Sequence, residues 1–258
     1  MKRLLVLICF LAGCGGSGLQ ADVTGALEEV EVEMEMVQQV PIVMYHYVRE
    51  VDRDSDPLGW NLSINPKDFE KQLEWLEQEG YVGIHLEELL EGEVPAKSVV
   101  LTFDDGLEDF YTTAVPLLEK YGFTATNGVV TEMVGWHEHM TAEQVQEIVD
   151  RGFEVVSHSL THKNMASLGE AELIYDLKRS REMLEENYGV ETVGFIYPSG
   201  KYSDLVVGKL REAGYEIAVT TEPGLADLNG EMLLLPRVRV DNRDGFEGFK
   251  KKMEGLSI

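Results

Sequence analysis

One unit recurs along this chain: a capping residue opens an amphipathic helix, a glycine closes it, and a short apolar strand follows. Asn65-Pro66 opens a helix with Phe69, Leu73 and Leu76 on one face, and Gly80 ends it. Another runs to Gly122 with Phe110, Ala114, Leu117 and Leu118 inward. A kink is expected at Pro116, because proline lacks the N–H a helix needs. Thr141 with Gln144, and Ser167 with Glu170, have capping-box spacing ahead of helices that end at Gly152 and Gly189. Ser203 opens one more, closed by Gly214. Glycine suits these stops because the residue past a helix often takes a positive φ.

The segments between are short and apolar: Ile42–Tyr45, Val99–Phe103, Ala125–Val130, Phe153–Val156, Val193–Tyr197, Ile217–Thr220 and Leu233–Val240. Regular alternation of helix and strand implies parallel strands covered by helices. The predicted fold is therefore α/β, a distorted or incomplete (β/α) barrel with about seven parallel strands. An open dinucleotide-binding sheet is disfavoured, because no Gly-x-Gly-x-x-Gly follows the first strand. In such a barrel the chemistry lies where strands end and loops begin.

The 258 residues are 44% hydrophobic, enough for a core that needs no staples. Lys+Arg 22 against Asp+Glu 47 give a formal charge of −25, which argues against a nucleic-acid partner. Such acidity solvates a surface, and it would also attract a polycation. At the N-terminus, Lys2-Arg3 and the apolar run Leu4–Ala12 read as an export signal, too short to span a membrane. Leu11-Ala12-Gly13-Cys14 resembles the bacterial lipobox, in which the cysteine is lipidated. The expected organisation is a lipoprotein signal peptide over 1–13, an acidic tether over 14–39 and a catalytic domain over 40–258. Alternating Glu and apolar residues from Glu31 to Met36 fit either an edge strand or an extended tether. The protein is thus expected to be exported and held by lipid on a membrane, facing the periplasm or the cell exterior.

Two motifs fall at strand ends. Thr102-Phe103-Asp104-Asp105-Gly106 places two carboxylates side by side, a repulsion that a bound cation would relieve. Ser157-His158-Ser159-Leu160-Thr161-His162 places two of the six histidines four apart, so that on a helical turn both would reach one ion. Two imidazoles and a carboxylate make a facial metal site with open positions.

With these motifs the chain resembles the polysaccharide deacetylases, the NodB-homology domain of carbohydrate esterase family four, over roughly Pro41 to Arg243. The resemblance implies Asp104 as catalytic base, and Asp105, His158 and His162 as ligands of a divalent metal. Zinc is the expected ion, with cobalt, nickel or iron(II) as alternatives. It also implies an N-acetylated amino-sugar polymer as substrate. Ile196-Tyr197-Pro198-Ser199-Gly200 stands where the family has arginine, proline, an aromatic and glycine. Pro198 and Ser199 would then shape an oxyanion loop through the Ser199 N–H.

The chain departs from the family twice. Ile196 replaces the arginine that holds the base, and Arg237 on the last strand is either its substitute or a surface residue. No histidine follows His162, so the late general acid is missing. His46, at the end of the first strand, is the expected replacement, as in members resembling poly-N-acetylglucosamine deacetylases. That feature, with the Tyr-Pro-Ser-Gly loop and the anchor, points to poly-β-1,6-N-acetylglucosamine, with peptidoglycan and chitin oligomers as alternatives. A serine esterase is disfavoured by the lack of Gly-x-Ser-x-Gly. An inactive glycan-binding lipoprotein stays open, because the family arginine is absent.

Overall fold

The computed structural model describes residues 35–256. Cys14, the signal segment and nearly all of the tether lie outside the described residues. Seven parallel strands close into a barrel: β1 (Ile42–Tyr45), β2 (Ser98–Phe103), β3 (Thr126–Val129), β4 (Glu154–Ser157), β5 (Gly194–Ile196), β6 (Ile217–Pro223) and β7 (Leu235–Arg239). Closure comes from β1, which pairs with β7 through Val43 and Val238 and with β2 from Ile42–Val100 to Tyr45–Phe103. The predicted α/β barrel is the observed one.

The distortion lies at one seam. The short strand Val82–Ile84 pairs with Ser98–Val100, whereas β3 pairs only with Thr102 and Phe103 above it. Below, Glu154 accepts the N–H groups of Leu86 and Glu87, and Glu87 accepts those of Val193 and Gly194. These carboxylates staple the turn after the side strand across the barrel floor.

Strand alternation divides two cores. Val99, Leu101 and Phe103 of β2 face the surrounding helices, where they meet Phe69, Leu73, Leu76, Phe110 and Leu118. Val100 faces the barrel axis with Ile42, Val156, Ile196, Ile217, Val219 and Leu235. Period-two alternation then points Thr102 and Asp104 inward above Val100. Between the carboxylates of the floor and the mouth, the axis is lined by this apolar layer, and polar side chains begin again one layer below the mouth.

Most predicted helix boundaries match. Asn65 caps Pro66–Gln78, Ser203 caps Asp204–Glu212, and Thr141 with Gln144 forms the full capping box of Ala142–Asp150. Gly189 closes Glu170–Tyr188 at φ 68°, a left-handed residue that a side chain would strain. One local expectation fails. The predicted Ser167 box does not form: Gly169 is the cap residue, and Ser167 Oγ instead bonds back to the Asn164 carbonyl in a separate 3-10 turn. At Pro116 a π-helical turn, Phe110–Ala114, runs into Val115–Lys120. The wider turn lies directly upstream of the proline, which has no N–H to offer the helix.

Before β1, Met36–Val37 pairs antiparallel with Val94–Pro95, and Gln39–Val40 with Ala226–Asp227. The end of the Glu-rich segment, at Met36–Val37, is therefore strand.

Candidate active site

The mouth of the barrel gathers side chains from β1, β2, β4, β5 and β7. At its centre, Arg237 of β7 is fully buried and reaches inward to Asp104 of β2. Its Nη1 lies 2.6 Å from Asp104 Oδ1 and its Nη2 2.8 Å from Oδ2. Nη1 also donates to Thr102 Oγ1 at 3.0 Å, and Nε donates to the Thr220 carbonyl at 2.7 Å. Four of the five guanidinium donors are thus matched, as a charge this deep requires. Asp104 itself is only 3% exposed. Burial pushes its carboxyl up, but the charge and hydrogen bonds of Arg237 outweigh it and hold the group below the ordinary carboxylate value. Asp104 is an anion at neutral pH with a fixed orientation.

The choice left open at Arg237 is thereby resolved in favour of a partner for Asp104. Ile196 fills the inward position instead: a Cβ added to Gly128 would come within 2.7 Å of its Cδ1.

Asp105 turns the other way. Its backbone takes φ 77°, unusual for a residue with a side chain, and this separates the two adjacent carboxylates. Asp105 Oδ1 lies 3.2 Å from both His158 Nε2 and His162 Nε2. Burial raises its carboxyl, while hydrogen bonds from both histidines hold it well below the usual range. His162 is pulled up, chiefly by its bond to Asp105.

The histidines do not sit on a helical turn, as their spacing suggested. They flank a loop in which Ser159 and His162 both have positive φ, 67° and 57°. The two imidazoles still converge, with centroids 4.9 Å apart. The separation of four residues did find the pair, but through a strained loop rather than a helix face.

Do these residues suit a metal? The one donor atom that each of Asp105, His158 and His162 offers lies within 4.8 Å of the others. His158 Nδ1 is 2.7 Å from the Ile196 carbonyl oxygen and must donate to it. A neutral imidazole so fixed presents its Nε2 lone pair to Asp105 Oδ1, acceptor against acceptor. Only positive charge between them, a proton or a metal ion, makes that contact favourable. The donor set of two imidazole nitrogens and a carboxylate suits a divalent transition metal with open positions. The hydrogen bond behind His158 also has the form that orients metal-binding imidazoles. The residues fit the ion.

His46 follows β1, whose end is paired with that of β2, so its imidazole falls beside the same centre. Its Nε2 is 3.9 Å from Asp104 Oδ2. Burial lowers its pKa, against the opposing pull of Asp104 and Asp105, so it is neutral at rest near pH 7.

Pro198 and Ser199 occupy a 3-10 turn immediately after β5. Pro198 is buried, and Ser199 is exposed with φ 54°. Gly200 behind it is required, since a Cβ there would lie 2.0 Å from Thr221 Oγ1. By contrast, His137 and His139 lie on an exposed loop, and among the described residues they join no three-donor cluster.

One residue had not been singled out. Asp176, on the helix Glu170–Tyr188, is 3% exposed and accepts the Leu160 N–H at 2.9 Å, inside the histidine loop. A carboxylate at an inward helical position, beside Leu173, Leu177 and Ser180, was the signal available in the sequence.

With fold and site described, the chain can be compared with known proteins. A family model described as polysaccharide deacetylase matches residues 91–218. YxkH of Bacillus subtilis, which carries the polysaccharide deacetylase name, is 31% identical over 214 residues, covering 81% of this chain and 74% of its own. A Staphylococcus aureus poly-β-1,6-N-acetyl-D-glucosamine N-deacetylase is 29% identical, covering 76% of this chain and 73% of its own. Among solved structures, the Streptococcus pyogenes deacetylase PplD in complex with acetate superposes with a TM-score of 0.78 at 31% identity, covering 83% of this chain and 98% of PplD. The chain belongs to the polysaccharide deacetylase family. It is a deacetylase-type hydrolase.

The buried pair yields a prediction. Arg237→Met should leave the Asp104 charge unpaired and cost about 3–5 kcal/mol of stability at pH 7. Because Arg237 depresses the folded-state pKa of Asp104, the stabilisation it gives exists above the unfolded carboxylate pKa. It is lost as pH falls through the lower folded value. The gap between wild type and Arg237→Met should therefore narrow in acid, where Asp104 is protonated in both. Urea unfolding of chelator-treated protein at neutral and acid pH measures this, and a gap independent of pH would contradict the assignment.

Proposed function

We propose that this deacetylase removes N-acetyl groups from poly-β-1,6-N-acetylglucosamine outside the cytoplasm, with Asp104 as base and His46 as proton donor. The observation that carries the reading is the convergence on one barrel mouth of a locked, ionised Asp104, the Asp105–His158–His162 donor set and His46. Relatives support the polymer: the Staphylococcus aureus protein is named for this substrate, and PplD was solved with acetate, which N-deacetylation releases.

Asp105, His158 and His162 would hold a divalent ion, zinc before cobalt, nickel or iron(II). When bound, such an ion supplies Lewis-acid polarisation of the acetyl carbonyl and lowers the pKa of water toward ~7.

The chain's own groups handle the protons. Arg237 occupies one edge of the Asp104 carboxylate, so the remaining lone pairs, toward the mouth, are left to accept a proton from water. Water adds to the acetyl carbon as Asp104 takes that proton. The oxygen that gains negative charge receives a hydrogen bond from the Ser199 N–H, on the turn that Pro198 and Gly200 fix. His46 is neutral at rest and near Asp104, so it can carry the same proton to the nitrogen as the C–N bond breaks. Acetate and a free amine leave, with no covalent bond to the protein.

The substrate choice is tested by acetate release. Wild-type protein should release acetate from poly-β-1,6-N-acetylglucosamine faster than from chitin oligomers or peptidoglycan; a preference for either of these would overturn the polymer assignment. Proton roles separate by leaving group. Asp104→Asn should lose nearly all turnover on amide and on activated aryl ester alike, since a carboxamide cannot accept water's proton. His46→Ala should lose about 10²–10⁴-fold on the amide, whose amine needs a proton, yet much less on an aryl ester, whose phenolate does not. Equal loss on both would make His46 a structural or substrate-positioning residue.

We also propose that Cys14 carries the lipid that retains the protein at the membrane, on the strength of the lipobox-like Leu11–Cys14 alone. Labelled fatty acid should be incorporated into wild type and be absent from Cys14→Ser; label persisting in the variant would refute the anchor.

A further inference from the structure

We infer that Asp176, backed by Ser180, is a latch on the helix Glu170–Tyr188 that holds the His158–His162 loop in its metal-binding shape. This inference rests on the reading of Asp105, His158 and His162 as metal ligands. It assigns to a residue outside the family motifs a positioning role for that site.

Left to itself, the loop has reason to relax. Ser159 and His162 both sit in the left-handed region, at φ 67° and 57°. Each such residue costs on the order of 1 kcal/mol or more and persists only when its surroundings over-determine it. The surroundings here are specific. Asp176 Oδ1 accepts the Leu160 N–H at 2.9 Å, and Oδ2 accepts the Thr161 hydroxyl at 3.3 Å. These two residues lie between the histidines. One helical turn on, Ser180 Oγ contacts Ser157 Oγ at 3.0 Å, which in turn accepts the Ser159 N–H at 3.2 Å. From the opposite side, the N–H groups of Thr131 and Glu132 donate to the carbonyls of Ser159 and Leu160. Leu160 is thus gripped through both its N–H and its carbonyl. Within the loop, Ser159 Oγ accepts the His162 N–H at 2.9 Å.

Asp176 is poorly placed to be anything else. It is buried, lies on the inward face of an otherwise apolar stretch with Leu173 and Leu177, and makes no ion pair within bonding distance among the described residues. A carboxylate in that setting costs stability unless its hydrogen bonds do something for the fold or the site. Both of its bonds go to the one loop that presents the two imidazoles.

The latch is tested on purified protein stripped with chelator and titrated with zinc against a chromogenic competitor. Asp176→Ala should weaken zinc binding about 10–100-fold, the usual effect of losing a group that orients metal ligands. Asp176→Asn should recover part of that loss, because its carboxamide oxygen still accepts the Leu160 N–H. Thr161→Val, which removes only the longer bond and keeps the carboxylate, should be mild and serves if Asp176→Ala does not fold. Metal-free melting temperatures, read in parallel, separate binding from general stability. Wild-type zinc affinity in both Asp176→Ala and Asp176→Asn, with binding lost in His162→Ala, would overturn the latch while leaving the ligand assignment intact. Undiminished binding in His162→Ala would overturn the ligand assignment, and the latch with it.

Discussion

The site depends on one interaction, the bidentate contact between Arg237 and Asp104 across the top of the barrel. Neither group is open to solvent, and removing two charges from water costs several kcal/mol each. That cost is offset only because the guanidinium fork is filled on several sides at once: both oxygens of Asp104, Thr102 Oγ1 and the Thr220 carbonyl. The contact joins β2, β6 and β7, and β7 reaches β2 only across β1, where the barrel closes. Closure, charge pairing and orientation of Asp104 are therefore one problem with one solution. With Asp104 turned inward and satisfied, Asp105 is free to turn out toward the histidines, and the adjacency that looked repulsive becomes a division of labour.

Much of this was legible in the sequence, because it follows from local periodicity. Helix caps at Asn65, Thr141 and Ser203, glycine stops and apolar runs of strand length mark out a βα repeat, and parallel strands linked by helices have few ways to close. Asp104, Asp105, His158 and His162 were visible because charged and imidazole groups at strand ends are rare and expensive without a purpose. One failure came where neighbouring residues could each open the same helix. Ser167 and Gly169 compete for the same cap position, and a serine that can bond back to Asn164 is drawn into its own turn.

Backbone hand was the deeper gap. Asp105, Ser159, His162 and Ser199 all take positive φ without being glycine, and nothing in their identities announces it. A helical turn was the natural reading of histidines four apart, since an unstrained chain brings such residues together that way. The structure uses a strained loop held by hydrogen bonds within it and by tertiary ones from the helix and from β3's end. Asp176 was overlooked for the same reason: its role exists only after the helix has docked on the barrel. Strain of this kind collects at functional sites because rigid placement of a few atoms matters more there than local comfort.

Both departures from the family pattern also have a spatial side. In a closed barrel, neighbourhood at the mouth is set by strand order around the axis rather than by order in the chain. Asp104 ends β2; Arg237 reaches it from β7 and His46 from β1, the strand that stands between β7 and β2. A missing arginine on β5 or a missing late histidine therefore says little about activity until the strand ends are compared in space. The exchange is not free to occur twice. Asp104 offers one carboxylate, and its facing edge is filled by Arg237. A second guanidinium entering from position 196 would be a buried cation beside another cation. Ile196 occupies the space beside Gly128, where an added Cβ would come within 2.7 Å of its Cδ1. An apolar residue at 196 is thus the counterpart of the arginine at 237, and the two should be read as a single feature of the site.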